Sequence, residues 1–111
     1  MKFSWTVIAS IYSGRPDPRW EIAEDQVDQF INFWQNAGLS QTEVTIPSKS
    51  GYKGLRLLGD DKQFIIYNEI ITCIQKTLRT SKKDDNRIIE RFLLNTAPDP
   101  ILNTLKQFNI P

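Results

Sequence analysis

The chain has 111 residues, of which 40% are hydrophobic and 24% charged, and its formal net charge is +1. This length is typical of one domain with a core of its own, and we expect a single globular domain over residues 1–111. The near-neutral charge lacks the basic excess of most nucleic-acid binders. The absence of histidine excludes Ser-His-Asp and Cys-His catalytic arrangements and the usual zinc ligand sets.

Cofactor, metal and membrane signals are missing from the sequence. The single cysteine, Cys73, excludes an internal disulfide, and its apolar, β-branched surroundings favour a buried, inert thiol. The acidic pairs at 60–61 and 84–85 lack the spacing of a calcium loop, and no Walker or dinucleotide glycine pattern is present. No stretch approaches a membrane span. We therefore expect a cytoplasmic protein without metal or cofactor.

The densest local signal is the segment Ser13–Trp20, which follows an alternating stretch over Phe3–Tyr12. The alternation predicts a strand, and Trp20–Ile22 resumes it, which indicates a hairpin with a wide turn. A rival interpretation caps a helix with Asp17 and places Pro18 at its first position.

Four residues of this loop are predicted to support its shape. Gly14 opens backbone conformations closed to other residues. Pro16 and Pro18 fix their own φ angles and bias the preceding residues towards extended backbone. Trp20 ends the loop with a large apolar anchor. Together they predict a stiff turn.

The polar residues of the loop, Arg15, Asp17 and Arg19, are the candidate partner- or anion-binding residues. Arginine suits carboxylates and phosphates, and a rigid loop loses little entropy on binding. The alternative is a connector in which Asp17 bonds nearby backbone N–H groups and Trp20 fills the core.

Glu24–Ala37 is the clearest predicted helix, because apolar residues recur along it at helical spacing. Its early acids are explained by the helix dipole. A strand is predicted within Tyr52–Leu58, followed by a turn at 59–62. The Ile-rich segment Gln63–Gln75 favours strand structure, although a hairpin or a helix stays open. Lys76–Asp85 is predicted to be a hydrophilic connector.

Two further helices are predicted near the C-terminus. The first spans Asn86–Thr96, capped by Asp84 or Asp85, with Ile88, Ile89, Phe92 and Leu93 on its apolar side. The second follows Ala97, with Asp99 as its cap and Pro100 at its first position. A possible basic surface surrounds the first of these helices: Lys76, Arg79, Lys82, Lys83, Arg87 and Arg91.

These observations predict an α+β fold, with an antiparallel sheet of about four strands and two to three helices packed on one face. The expected function is a non-catalytic protein-interaction module, an accessory subunit or adaptor, using the Gly/Pro/Arg loop. One alternative is a small-anion or nucleotide-binding protein using the same loop. A further alternative is a weak nucleic-acid binder through residues 76–91. The one acid flanked by apolar residues, Glu69, is expected at a solvated turn, so catalysis lacks support.

Overall fold

A computed structural model describes residues 5–12, 15–48 and 51–107. It consists of a six-stranded antiparallel sheet and three helices, which confirms the predicted α+β class. The strand order across the sheet is β2-β1-β3-β4-β5-β6. The strands are β1 Trp5–Ala9, β2 Arg19–Ile22, β3 Leu55–Leu58, β4 Gln63–Tyr67, β5 Ile70–Gln75 and β6 Leu78–Lys83; the helices are α1 Glu24–Asn36, α2 Ile88–Leu94 and α3 Asp99–Lys106.

The predicted first hairpin is confirmed. β1 pairs antiparallel with β2, with Val7 opposite Trp20, so the rival helix beginning at Pro18 is wrong. The first helix begins instead at Glu24, where the Gln26 side chain accepts a hydrogen bond from the Ala23 backbone N–H at 2.8 Å. This contact satisfies one of the free N–H groups at the helix start.

The sheet has six strands instead of about four because the chain between 63 and 83 forms a three-stranded meander. Asn68 and Glu69 adopt positive φ angles of 53° and 68°, as a tight two-residue hairpin turn requires. Glu69 is exposed there, as expected.

The predicted connector Lys76–Asp85 is wrong, since most of it is β6. Hydrophobic alternation does not reveal this strand because it is an edge strand built largely of polar side chains.

The two edges of the sheet differ. The outer side of β6 is covered by the chain that leaves α1, because the Lys83 N–H donates to the Gly38 carbonyl at 2.8 Å and the Ser40 N–H donates to the Ser81 carbonyl at 2.9 Å. Within the described ranges, no backbone group pairs with the outer side of β2. Residues 43–46 form no strand, and the Val44 N–H donates to the Thr72 hydroxyl at 2.9 Å.

The core lies between the helices and one face of the sheet. On α1, the Phe30 ring packs edge-on against Phe64 of β4, with centroids 4.7 Å apart. The Trp34 ring contacts the same Phe64 at 5.2 Å. α2 contributes Ile89 and Leu93, and α3 contributes Leu105, to this hydrophobic cluster.

The predicted apolar side of α2 is wrong by about one residue. Ile88 is 48% exposed, whereas Glu90 and Leu94 are buried with Ile89 and Leu93. The helix begins later than predicted because a short 3₁₀ segment at Asp85–Arg87 precedes it.

Among the described residues, no helix combines the length and the apolar character that crossing a membrane requires.

Candidate functional site

The Asp17 side chain connects the two ends of the loop between β1 and β2. One oxygen of its carboxylate, Oδ1, accepts hydrogen bonds from the backbone N–H groups of Ile11 at 2.9 Å and Tyr12 at 2.7 Å. The Pro18 carbonyl also accepts a hydrogen bond from the Ala9 N–H at 3.0 Å. Asp17 therefore holds the two arms of the loop together, which is an Asx-type interaction within the loop.

Trp20 attaches the loop end to a helix. Its side chain is only 6% exposed, and its indole N–H donates to the Thr96 hydroxyl at 2.8 Å. Thr96 lies two residues beyond the end of α2. A buried tryptophan usually needs such a partner for its N–H group, so both the ring and the hydrogen bond restrain the start of β2.

The two loop arginines are exposed. The Arg15 guanidinium carbon lies 3.8 Å from the centroid of the Tyr12 ring, a cation–π contact that restricts the side chain. Arg19 begins β2 and faces away from the helices, opposite Ile8. No carboxylate of the described chain forms an ion pair with Arg15 or Arg19. Of the remaining predicted supports, Pro16 is exposed, Pro18 is half-buried, and Gly14 lies outside the described residues.

A buried polar pair lies at the same end of the sheet. The chain next to the loop continues the pairing of β1, because the Ser10 N–H donates to the Gly54 carbonyl at 3.0 Å. Tyr52 precedes this point, and its hydroxyl donates a hydrogen bond to Glu90 Oε2 on α2. Glu90 is fully buried, and its Oε1 has no hydrogen-bond partner among the described residues.

Burial sets the electrostatics of this pair. Removal from water disfavours the carboxylate and raises the pKa of Glu90, although the Tyr52 hydrogen bond and the charge of Arg87 act in the opposite direction. Burial, together with the neighbouring Glu90, also raises the pKa of the Tyr52 hydroxyl. Both groups therefore favour their neutral forms more than they do in water.

Asp84 is a second buried acid next to this pair. The sequence predicts Asp84 or Asp85 as the cap of α2, whereas the N-cap residue is Arg87, and Asp84 bonds the first turn of the helix from three residues before Arg87. Its Oδ1 accepts from the Ile89 N–H at 2.7 Å, and its Oδ2 accepts from the Glu90 N–H at 3.1 Å. Burial raises the pKa of Asp84 even though these two hydrogen bonds lower it. Both carboxylate oxygens are thus occupied by the helix start.

Tyr52, Asp84 and Glu90 could hold or move a proton, yet their surroundings favour a structural role. Neither Tyr52 nor Glu90 lines the cavity beside Phe33 and Ile88 or the groove beside Trp34 and Lys82, and Asp84, which lines the first, has both carboxylate oxygens bonded to the helix start. A general acid must reach the proton acceptor on its substrate. The pair instead ties α2 to the segment before β3.

Sequence reasoning missed Glu90 and Tyr52, because a charged residue on a short helix is expected at the surface. A signal was present. Glu90, Leu93, Leu94 and Ala97 follow the i, i+3, i+4, i+7 spacing of one helix face, and all four are buried.

The six predicted basic residues do not share one face. Lys82 points towards the helices, where its Nζ donates to the Trp34 carbonyl at 2.8 Å. Arg79 alternates with Lys82 along β6 and faces the other side, where it pairs with Glu43 at 3.5 Å. Lys83, at the end of the strand, lines a cavity beside α1. The others are distributed over a turn and the α2 region: Lys76, Arg87 and Arg91.

No group of three or more potential metal ligands occurs among the residues that the structure describes. Comparisons with profiles of known protein families, with curated protein sequences and with solved structures find no match to this chain.

Proposed function

We propose that this chain is a non-catalytic interaction module that binds an extended, acidic segment of another protein along the Arg15–Arg19 loop and the adjoining strand β2. The observation that carries the proposal is a pair of exposed guanidinium groups, neither of which forms an ion pair with a described residue, on a loop held by Asp17 beside an open sheet edge. An accessory subunit or adaptor in the cytoplasm is the setting that we propose for it.

The arginines supply the charge recognition. Guanidinium groups bind carboxylates through paired, charge-assisted hydrogen bonds. Arg15 already rests on the Tyr12 ring, so less side-chain freedom is lost when an acidic residue binds. Because Asp17 uses its Oδ1 within the loop, the loop keeps its shape without an ion pair to either arginine.

The edge strand supplies the backbone recognition. β2 pairs with β1 on one side, and within the described ranges its other side is unpaired, whereas the edge at β6 is covered by Gly38–Ser40. An extended peptide can add to such an edge through main-chain hydrogen bonds. β2 has only four residues, so these bonds are few, and we expect the arginines to decide which segment binds.

The proposal can be tested with two labelled peptides, one alternating valine with glutamate and the other alternating valine with lysine. We expect the glutamate peptide to bind more tightly and to shift the backbone NMR signals of β2. The Arg15→Ala, Arg19→Ala double variant should weaken this binding by about tenfold, since each of the two exposed charge pairs contributes on the order of 0.7 kcal/mol.

The matched control is the Arg79→Ala, Arg91→Ala double variant, which removes the same charge from exposed positions elsewhere. If both double variants bind the glutamate peptide equally weakly, net charge alone explains the effect and the proposal is overturned. Signals that move only at the loop, together with equally tight binding of inorganic phosphate, would instead favour the small-anion alternative.

A further inference from the structure

A second surface feature lies at the other end of the sheet. It is a groove of about 330 Å³ between α1 and the helix-facing side of β4, β5 and β6. Lys62, in the turn between β3 and β4, is one of its lining residues. That turn is at the opposite end of β3 from Gly54 and the arginine loop. The groove is therefore separate from the site proposed for the acidic segment.

One side of the groove is apolar and aromatic, and the rest of its wall is polar. Ile31 and Trp34 of α1 form this side, and the ring of Phe64, on β4, contacts Trp34. Cys73 of β5 also lines the groove, and burial raises the pKa of its thiol. A thiol kept neutral in this way adds a small, weakly polar wall.

The charged side chains that line the groove are both lysines, Lys62 and Lys82. Lys82 is held in place, because its Nζ donates to the Trp34 carbonyl at 2.8 Å and lies 4.4 Å from the Trp34 ring centroid. Lys62 forms no ion pair or side-chain hydrogen bond within the described chain. The nearby acid, Asp61, does not line the groove, and its Oδ2 accepts a hydrogen bond from the Gln75 amide at 2.7 Å.

We propose that this groove binds a small molecule that carries one anionic group on a flat apolar body, such as an aromatic carboxylate. The volume falls at the lower end of the range for small-molecule sites, which combine apolar walls with a few placed polar groups. The apolar body would lie against the half-buried side chains of Ile31 and Trp34, and the Lys62 ammonium would bind the anionic group. Arg15 and Arg19 do not line the groove, so the proposed small-molecule site does not use them.

The single cysteine of the chain provides a direct probe of occupancy. Cys73 can be alkylated with iodoacetamide, a neutral reagent, at pH 8.5, and the modified fraction followed by mass spectrometry. The probes are 2-naphthoate and its neutral counterpart 2-naphthamide. We expect 2-naphthoate to slow alkylation in a saturable manner, with a half-maximal concentration about threefold to tenfold lower than that of 2-naphthamide.

Two variants complete the test. Lys62→Ala should weaken protection by 2-naphthoate about threefold to tenfold, whereas Lys83→Ala, which does not line this groove, should leave it unchanged. Because Lys62 lowers the pKa of the Cys73 thiol, its removal slows alkylation by itself. Rates are therefore compared with and without naphthoate in each variant, after circular dichroism has shown that the fold is kept.

Three results would overturn the proposal. They are alkylation unaffected by millimolar naphthoate, equal protection by the acid and the amide, and equal effects of the Lys62 and Lys83 substitutions.

Discussion

The hydroxyl of Tyr52 donates to the fully buried carboxyl of Glu90 and joins the segment before β3 to helix α2. The other oxygen of this carboxyl has no partner in the described structure. Buried polar atoms without partners are uncommon in native proteins. Ionisation of Glu90 would therefore place a negative charge in the core with one oxygen unpaired among the described residues.

The pH dependence of stability should follow from Glu90. Its pKa in the folded chain is raised by burial, so between its unfolded and folded pKa values the folded state holds a proton that the unfolded state has lost. This contribution to stability is fully present below the unfolded pKa and is lost as pH rises through the folded pKa. We expect the free energy of unfolding, measured with urea between pH 4 and pH 8, to fall as pH increases.

Glu90→Gln should flatten this dependence, because the amide does not titrate. A weaker slope of the same sign should remain, since burial also raises the pKa of Asp84. An unchanged slope in Glu90→Gln would show that Glu90 does not control the acid–base behaviour of the fold.

Removal of the Tyr52 hydroxyl should destabilise the chain. Tyr52→Phe keeps the ring but leaves the Glu90 side chain without a hydrogen bond, and the expected loss is about 1–3 kcal/mol. Tyr67→Phe is the matched control, because the neighbouring Tyr67 ring lies 6.3 Å from Tyr52 and no hydrogen bond of its hydroxyl is found within the described residues. Urea unfolding at pH 7 should separate the two variants, and equal losses would contradict the role given to Tyr52.

The contribution of Asp17 to the stability of the loop can be tested by substitution. Asp17→Ala removes the acceptor for the Ile11 and Tyr12 N–H groups, with an expected loss of about 1–2 kcal/mol. Asp17→Asn retains one acceptor oxygen and should cost less. Amide hydrogen exchange at Ile11 and Tyr12 should accelerate in the alanine variant. If exchange there is the same in all three proteins, Asp17 does not hold the loop.

Sequence reasoning predicts a strand best where its alternating hydrophobic residues are also the residues that face the core. Alternation over β1 and β2 predicts the first hairpin because Val7 and Trp20, which pair across it, both face the core. The same reasoning fails at β6, where the strand is polar and its edge is covered by backbone from Gly38–Ser40. Because backbone hydrogen bonds form with any side chain, pairing between β6 and Gly38–Ser40 produces no hydrophobic pattern in the sequence.

Sequence reasoning also predicts one part of the candidate site and misses another. The loop is visible in the sequence because proline and glycine act locally. The Tyr52–Glu90 pair joins residues 38 positions apart, and the identity of Glu90 suggests solvent. Only the spacing shared with Leu93 and Leu94 indicates that Glu90 faces inward, and this spacing becomes clear once the helix start is known to be Ile88. The groove at Lys62 depends on how α1 crosses the sheet, which no local pattern encodes.

Gly54 should be among the least replaceable residues in the chain. It has a φ of +96°, and a Cβ at this position would collide with the Ile66 carbonyl oxygen and come within 2.8 Å of Tyr67 Cβ. Neither neighbour can move cheaply, because one is backbone of β4 and the other is the first side-chain atom of the same strand. Gly54→Ala should therefore destabilise the fold by about 3 kcal/mol or more, combining backbone strain with overpacking.

Gly38 offers the matched control for Gly54. A Cβ at Gly38 would meet nothing within 4 Å, and its φ is not positive, so Gly38→Ala should leave stability unchanged or raise it by up to about 1 kcal/mol. Thermal unfolding of both variants measures the difference directly. Similar melting temperatures for the two would mean that the approach of Gly54 to β4 does not constrain the sheet. A large loss confined to Gly54→Ala would show that the close approach of Gly54 to β4 constrains the sheet.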